Sequence, residues 1–431
     1  MSFVLRRTSM LRSYLATVLL CSPVALLAQQ AEGSRTAAVF DRAADRLVKL
    51  EISETGSAAK ATIGSGFVVS SEGWLVTNYH VVSKMVQEPG RYRAVVVDSS
   101  GAEHEARLLS IDVADDLAVL VSDYRPAHVF RVAQVAPPQG TRLYALGHPR
   151  DLGASIVEGT YNGLLKHTLL PRIHFTGSLN PGMSGGPTVT DNDDVIGVNV
   201  STAGNELSFL VPAARVSALL LRTEQLGPTE PDSLLAEVAR QLLAYQESYV
   251  EDMFESGMPT AALGHYVVPT KPANFFRCWA DASRDHPDRL YEVVDHQCST
   301  DDVVFLTDDQ ETGRVALFHR LLTSDELSTL RFSHLLSEDY GNLGGLYGNE
   351  EQVTSYRCTT RNVRNAAVTF RAAVCLRRYK KLNGLYDATL RAVSLGGRNE
   401  GLVTTLTLSG VSFSSVDMLV RRYLQRFGRQ P

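Results

Sequence analysis

Between Val48 and about Val216 the hydrophobic positions come in short runs broken by polar and turn-forming residues. Val48-Lys49-Leu50-Glu51-Ile52 alternates with period two, as a strand with one buried face requires. Gly66-Phe67-Val68-Val69, Ala94-Val95-Val96-Val97, Leu117-Ala118-Val119-Leu120 and Val195-Ile196-Gly197-Val198 are apolar stretches of strand length. Glu72-Gly73, Ser100-Gly101 and the acidic run from Asp191 to Asp194 fall between such stretches as turn punctuation. Many short strands at this spacing predict an all-β sandwich or barrel.

The period changes after residue 220. Gly227-Pro228 and Pro231-Asp232 mark a boundary. Beyond it Leu235, Val238, Leu242, Tyr245, Tyr249 and Met253 recur at three- and four-residue steps. That spacing predicts an amphipathic helix, capped by Asp232 or Ser233 and stopped by Gly257 and Pro259. The remainder mixes strand and helix patterns and ends in a helix from about Ser414 to Arg426. The organisation expected is therefore a β domain over 38–222, a linker and helix over 223–258, and an α+β C-terminal domain over 259–431. Within the last, Phe276-Arg277-Cys278 recurs as Tyr356-Arg357-Cys358, each followed by a second cysteine. A Gly-x-Val strand (Gly313, Val315; Gly401, Val403) and an amphipathic segment (Leu327 to Leu335; Val416 to Leu424) then follow in each. The expectation is two degenerate α+β repeats, each closed by one disulfide; chance recurrence is the alternative.

Composition changes this picture little. With 431 residues, 44% hydrophobic and 21% charged, the chain has the make-up of a multidomain globular protein. A net charge of −5 argues against a nucleic-acid partner, which favours a basic surface. The N-terminus is more telling. Arg6, Arg7 and Arg12 precede an apolar stretch from Tyr14 to Ala28, too short to span a bilayer comfortably. Residues 1–28 are expected to be a secretory signal peptide cleaved after Ala28, with a retained anchor as the alternative. Leu20 is too bulky to precede a lipidated Cys21. No stable membrane span is expected after cleavage, and the location implied is periplasmic or secreted. Cys278, Cys298, Cys358 and Cys375 are then an even set in an oxidising compartment. Nearest-neighbour loops close most easily, so the pairs expected are Cys278–Cys298 and Cys358–Cys375. Zinc is the alternative, although no CxxC pair supports it. No metal or cofactor is called for.

Three segments carry candidate chemistry. Trp74-Leu75-Val76-Thr77-Asn78-Tyr79-His80-Val81-Val82 places an imidazole at an expected strand end, where it can stand between a nucleophile and an acid. Asp112-Val113-Ala114-Asp115-Asp116 runs into the apolar stretch from Leu117. Asp116 abuts it and is best placed for burial against His80, with Asp115 and Asp112 as competitors. Asn180-Pro181-Gly182-Met183-Ser184-Gly185-Gly186-Pro187 offers a serine on a glycine-rich backbone. Serine oxygen is a poor nucleophile until a base takes its proton. Backbone amides of Gly182 and Ser184 could form an oxyanion hole without side-chain obstruction.

The order His, Asp, Ser across one β-rich region is the trypsin-like order. The segments Gly64-Ser65-Gly66-Phe67, Thr77 to Val82, Asp116 to Leu120, Ala145-Leu146-Gly147-His148-Pro149, Gly182 to Gly186, Ile196-Gly197-Val198-Asn199 and Phe209-Leu210-Val211-Pro212 together resemble the protease domain of the HtrA/Deg family of trypsin-like serine endopeptidases. The resemblance covers about residues 45–218. It implies a double six-stranded β-barrel with a cleft between the barrels, acting on a protein or peptide substrate. It further implies His80 as general base, Asp116 as its orienting acid and Ser184 as nucleophile. Met183 replaces the Asn or Asp usual before the nucleophile, and nothing after residue 220 resembles a PDZ domain. Ser178 stands where enzymes selective for Arg or Lys carry an acid. With Leu179, Asn199, Val200, Ser201 and Phe209 it implies a mainly apolar specificity pocket for a small or medium aliphatic residue. A catalytically inactive envelope scaffold is the alternative function.

Overall fold

The computed structural model describes residues 35–430 apart from 58, 203–206, 284–288 and 343–348; residues 1–28, expected to be a signal peptide, lie outside the described residues. A short helix α1 (residues 35–43) leads into six strands, β1 (Leu47–Glu54), β2 (Lys60–Val68), β3 (Trp74–Thr77), β4 (Tyr92–Val97), β5 (Glu103–Asp112) and β6 (Leu117–Ser122). They close into an antiparallel barrel in the order β1-β2-β3-β6-β5-β4, with helix α2 (Tyr79–Gln87) between β3 and β4. A second barrel follows. Its strands are β8 (Arg142–Gly147), β9 (Ser155–Leu164), β10 (Ile173–Phe175), β11 (Pro187–Val189), β12 (Asp194–Thr202) and β13 (Ser208–Pro212). The order is β11-β8-β9-β10-β13-β12, closed by β11 on β12, while the short β7 (Arg131–Val132) lies parallel to β12 outside the ring.

The apolar runs are nearly continuous where a strand serves two cores, as β6 and β8 do. On β6, Ala118 and Leu120 point into the first barrel with Leu50, Val68 and Leu75. Leu117 and Val119 point the other way, into a cluster shared with Tyr144, Leu146, Val189, Val198 and Val200 of the second barrel. On β8, Leu143 and Ala145 fill the second barrel beside Phe175, Met183 and Leu210, while their neighbours reach the seam. A strand buried on both faces has no polar positions to alternate with. The middle cluster is thus the seam between the barrels.

Helix α3 (Ala213–Leu226) closes the seam with Val216 and Leu219. Helix α4 (Leu234–Glu255) covers the run predicted by the three- and four-residue spacing. It is not a spacer, however. Leu234, Val238, Leu242, Tyr245, Tyr249 and Met253 lie in one cluster that continues from Val48 and Tyr79 of the first barrel to Leu390 and Leu406. Gln241 ties it down by accepting from Val113 N at 2.7 Å and donating to Ile111 O at 2.9 Å. Full burial of each such apolar side chain contributes about 1.5–3 kcal/mol.

Beyond α4, one seven-stranded antiparallel sheet has the spatial order Phe276–Ser283, Glu292–Thr300, Val315–Thr323, Glu400–Val411, Tyr386–Ser394, Thr369–Arg378, Arg357–Arg364. Leu402 and Val403, adjacent on one strand, enter different clusters. Helices α4 and α6 (Phe413–Gln425) therefore cover one face and α5 (Thr329–Gly341) the other. The two cysteine-bearing segments do not build separate units: their Gly-x-Val strands pair with each other at the centre of the sheet. Disulfides Cys278–Cys298 and Cys358–Cys375 join directly opposed residues of the outermost strand pairs at its two edges. The sulfurs of Cys278 and Cys298 and a ring nitrogen of His296 lie within 4.8 Å of one another, but the sulfurs are bonded together and offer no thiolate to a metal. A small hairpin, Val304–Phe305 with Glu311–Thr312, projects from this half toward the barrels. Among the described residues no helix is long and apolar enough to cross a membrane.

Candidate active site

His80 does not end a strand. Strand β3 stops at Thr77, Asn78 takes an extended conformation as N-cap, and His80 stands in the first turn of α2. Local preference of Val81 and Val82 for strand is overridden because both bury in the barrel core against β1 and β2. The side chain of Asn78 does not cap its own helix; it donates to Asp116 O at 2.8 Å. The cap comes from Asp116 instead. Its Oδ1 accepts the His80 amide at 2.9 Å, one of the first-turn N–H groups that a helix cannot satisfy internally. Its Oδ2 lies 2.8 Å from His80 Nδ1. One carboxylate thus fixes both the backbone and the ring of the histidine.

Asp116 reaches this position from a turn, with φ at +59° immediately before β6, and is essentially without solvent exposure. Its competitors are engaged elsewhere. Asp112 pairs with Arg222 and accepts the amide of Asp115, and Asp115 lies 3.5 Å from both Arg172 and Arg215. Burial disfavours a charged imidazole at His80, but the Asp116 charge and hydrogen bond, helped by Asp308, outweigh it. The His80 pKa therefore lies above the ordinary histidine value.

The glycine-rich loop is clamped against β2 and packs on the end of β3, the strand that leads to His80. Ser184 O accepts from Ser65 N at 2.9 Å, and Thr77 Oγ1 donates to Ser65 O at 2.7 Å. A methyl group on Gly185, at φ +84°, would stand 2.2 Å from Thr77 Oγ1 and 3.0 Å from Asn78 N, so only glycine allows this approach. Gly182, at φ +94°, is as tightly held against His148 O. In this loop Met183 N, Gly185 N and Gly186 N are all bonded to carbonyls. The amides of Gly182 and Ser184 enter no hydrogen bond among the described residues. The Ser184 hydroxyl donates to Val200 O at 3.1 Å and not to His80.

Of the residues expected to form the specificity pocket, Ser178 is exposed, Phe209 half-buried, and Leu179 and Val200 belong to hydrophobic clusters. The side chain of Ser201 lies outside the described residues. Asn199 is a brace and not a pocket wall. It has no accessible surface; its Nδ2 donates to Leu146 O and Met183 O, its Oδ1 accepts from Thr188, and its carbonyl holds Gly185 N. Ser65 was not singled out from sequence, yet its hydroxyl donates to Gly182 O at 2.7 Å and accepts His148 N at 2.8 Å. Its position inside Gly64-Ser65-Gly66-Phe67 was visible; its bonds to residues over 80 positions away were not.

Two barrels, a carboxylate-held imidazole and a clamped serine loop at their seam coincide with what sequence comparison finds. The sequence model for the trypsin-like peptidase domain matches residues 64–198. About a third of the chain is thus similar to trypsin-like peptidase domains. Human serine protease HTRA3 is 28% identical over 221 residues, covering 48% of this chain and 48% of that protein. A probable periplasmic serine endoprotease, DegP-like, of Bartonella henselae is 33% identical over 175 residues, covering 38% of this chain and 34% of its own. The crystal structure of a serine endoprotease from Yersinia pestis is similar over 43% of this chain and 65% of that one, with 26% identity and a TM-score of 0.38. The matches to these curated relatives span about half of their length or less. The region these comparisons match is similar to HtrA-type serine proteases, and the α+β half lies beyond the residues that the domain model matches.

Proposed function

We propose that this protein is an exported serine endopeptidase, with Ser184 as nucleophile, His80 as general base and Asp116 as the group that orients and charges the base. The observation that carries the reading is the pairing of a carboxylate-held imidazole with a loop whose two unengaged amides, Gly182 and Ser184, flank an engaged one. With a peptide bound, the Ser184 hydroxyl turns from Val200 O to His80 Nε2. Its proton passes to the imidazole as its oxygen bonds to the scissile carbonyl carbon. The carbonyl oxygen, now anionic, is met by the amides of Gly182 and Ser184. Collapse of this intermediate breaks the C–N bond, and His80 returns the proton to the departing amine. Water then repeats the sequence on the acyl-enzyme and frees Ser184.

Asp116 supplies what this cycle needs of an acid. It holds the ring in one tautomer with Nδ1–H toward Oδ2, and stabilises the imidazolium that forms. Export is supported by the leader-like segment, by two disulfides at the sheet edges, and by the periplasmic description of a relative. Protein or peptide substrates are the class that protease relatives act on.

The test is hydrolysis of casein or a peptide library by the mature protein and by Ser184→Ala. Turnover is expected to fall on the order of 10³-fold or more, and a fluorophosphonate label should mark only the unsubstituted protein. Equal hydrolysis by both would reject the assignment. Neither hydrolysis nor labelling in either would favour the scaffold reading, to which the Ser184–Val200 bond lends its one observation.

A further inference from the structure

The hairpin that the α+β half sends toward the barrels reaches the proposed general base. The ring of Phe305 lies against the His80 imidazole, with centroids 5.1 Å apart and planes inclined at 48°. This approach is built into the fold from several directions. Val304 and Leu306, on either side of Phe305, are fully buried in the cluster that also holds Tyr79, Val81 and Val82. By strand alternation Phe305 points the opposite way. It is half-buried and packs at the edge of the seam cluster containing Val200, whose carbonyl holds the Ser184 hydroxyl.

Polar contacts fix the hairpin on both barrels. Tyr79 Oη donates to Leu306 O at 3.4 Å, and Lys84 pairs with Asp308 at 3.5 Å, both from α2. The buried Asp302 carboxylate accepts the amides of Leu169 at 2.6 Å and Leu170 at 3.4 Å, from the loop between β9 and β10. His167 of the same loop approaches Asn274 O at 3.0 Å. The α+β half therefore spans the cleft beside the catalytic groups, and the His80 side chain keeps only 13% of its surface exposed.

We infer that the α+β domain completes the active-site cleft, and that Phe305 is a specificity-determining wall beside His80. The inference rests on the peptidase reading. A substrate chain positioned for attack by Ser184 must pass the imidazole, and there it meets an aromatic ring supplied from over 200 residues away in sequence. The ring narrows that part of the cleft. A residue flanking the scissile bond on the Phe305 side must then be small. Discrimination by such a wall arises from contact volume, where one or a few methylene groups change kcat/KM by about 10- to 200-fold.

The experiment uses the full mature chain and peptides varied, from Ala to Leu to Phe, at each of the two residues on either side of the cleaved bond. For Phe305→Ala, the ratio of kcat/KM for the Phe-containing to the Ala-containing peptide should rise about tenfold or more at one position and stay level at the others. Phe305→Leu retains most of the bulk and should stay within about threefold of the parent ratio, while Phe305→Val, which also removes the ring, should raise the same ratio several-fold and serves if the alanine variant fails to fold. Ratios unchanged at every position in the folded alanine variant, or in the valine variant where alanine does not fold, overturn the inference. So does a uniform rise for all peptides together with faster fluorophosphonate labelling, which would make the hairpin a lid. If the parent protein shows no Ser184-dependent hydrolysis, the activity reading fails and this inference with it. Ser184-dependent hydrolysis with unaltered ratios defeats this inference alone.

Discussion

Each half of the molecule buries a histidine, and their surroundings drive the two rings in opposite directions. His80 of the two-barrel half has a carboxylate on Nδ1, and its pKa is raised despite burial. His319 of the α+β domain is without solvent exposure, with Nε2 at 2.7 Å from Pro269 O and Nδ1 at 2.9 Å from Thr404 Oγ1. Burial among these neutral partners lowers its pKa to about 3, the Pro269 carbonyl opposing only in part. Both imidazoles have polar neighbours, so hydrogen bonding alone does not separate them. A full negative charge does. One ring is held by a carboxylate at the proposed active site, and the other is a neutral core residue.

Asp116→Asn strikes this contrast most directly. The amide keeps the shape but removes the charge, and can present N–H to Nδ1, which favours the wrong tautomer. Peptidase turnover should drop by on the order of 10³–10⁴-fold while the melting temperature changes little, as paired kinetic and thermal measurements would establish. Replacing Cys358 and Cys375 together by serine acts on the other half. It should cost about 2–4 kcal/mol in denaturant unfolding of the α+β domain, with the rate of Ser184 labelling in the folded protein unchanged.

Acidification separates the two rings. The unfolded chain protonates histidine near the ordinary value of about 6.5, whereas folded His319 stays neutral until about pH 3. The unfolded state therefore binds more protons in that window. The His319 contribution is intact above about pH 6.5 and declines as pH falls, by about 1.4 kcal/mol per unit, or roughly 2–3 kcal/mol by pH 4.5. His148, lowered to about 4 mainly by burial, adds in the same direction. Unfolding free energy measured from pH 7 to 4.5 should slope less steeply in His319→Gln; an identical slope would count against the neutral-core assignment.

The smallest effect concerns Asp308. His80 must be neutral to accept a proton, so turnover rises with pH through its pKa, and a raised pKa places that rise above about pH 6.5. Asp308 contributes to the raising from the hairpin. Asp308→Asn should move the acidic limb of kcat/KM to lower pH, by less as salt is added, because this charge is partly exposed and screened.

Several of these residues were within reach of sequence reasoning. Asp116 was preferred over Asp115 and Asp112 because it abuts the apolar run, and it is the carboxylate found on His80. Helix α4 followed from the spacing of Leu235 to Met253. The nearest-neighbour cysteine pairs match because each closes a pair of adjacent antiparallel strands. The strand-end placement of His80 failed where barrel packing outweighed the propensity of Val81 and Val82. Asn199 was assigned to a pocket because its strand passes the site, while its side chain turns inward to brace the serine loop.

Sequence by itself determined the parts of this protein whose physical signal is local. Alternation and apolar runs mark strands, helical spacing marks α4, and glycines next to Ser184 mark a backbone that must approach others closely. Tertiary structure alone decided what those parts face. Whether a polar side chain braces, caps or stays free depends on groups brought from elsewhere, and neither Phe305 against His80 nor α4 as a core layer leaves a trace in residue order. Contacts between distant segments are selected by the packing of the whole, which no short stretch of sequence contains.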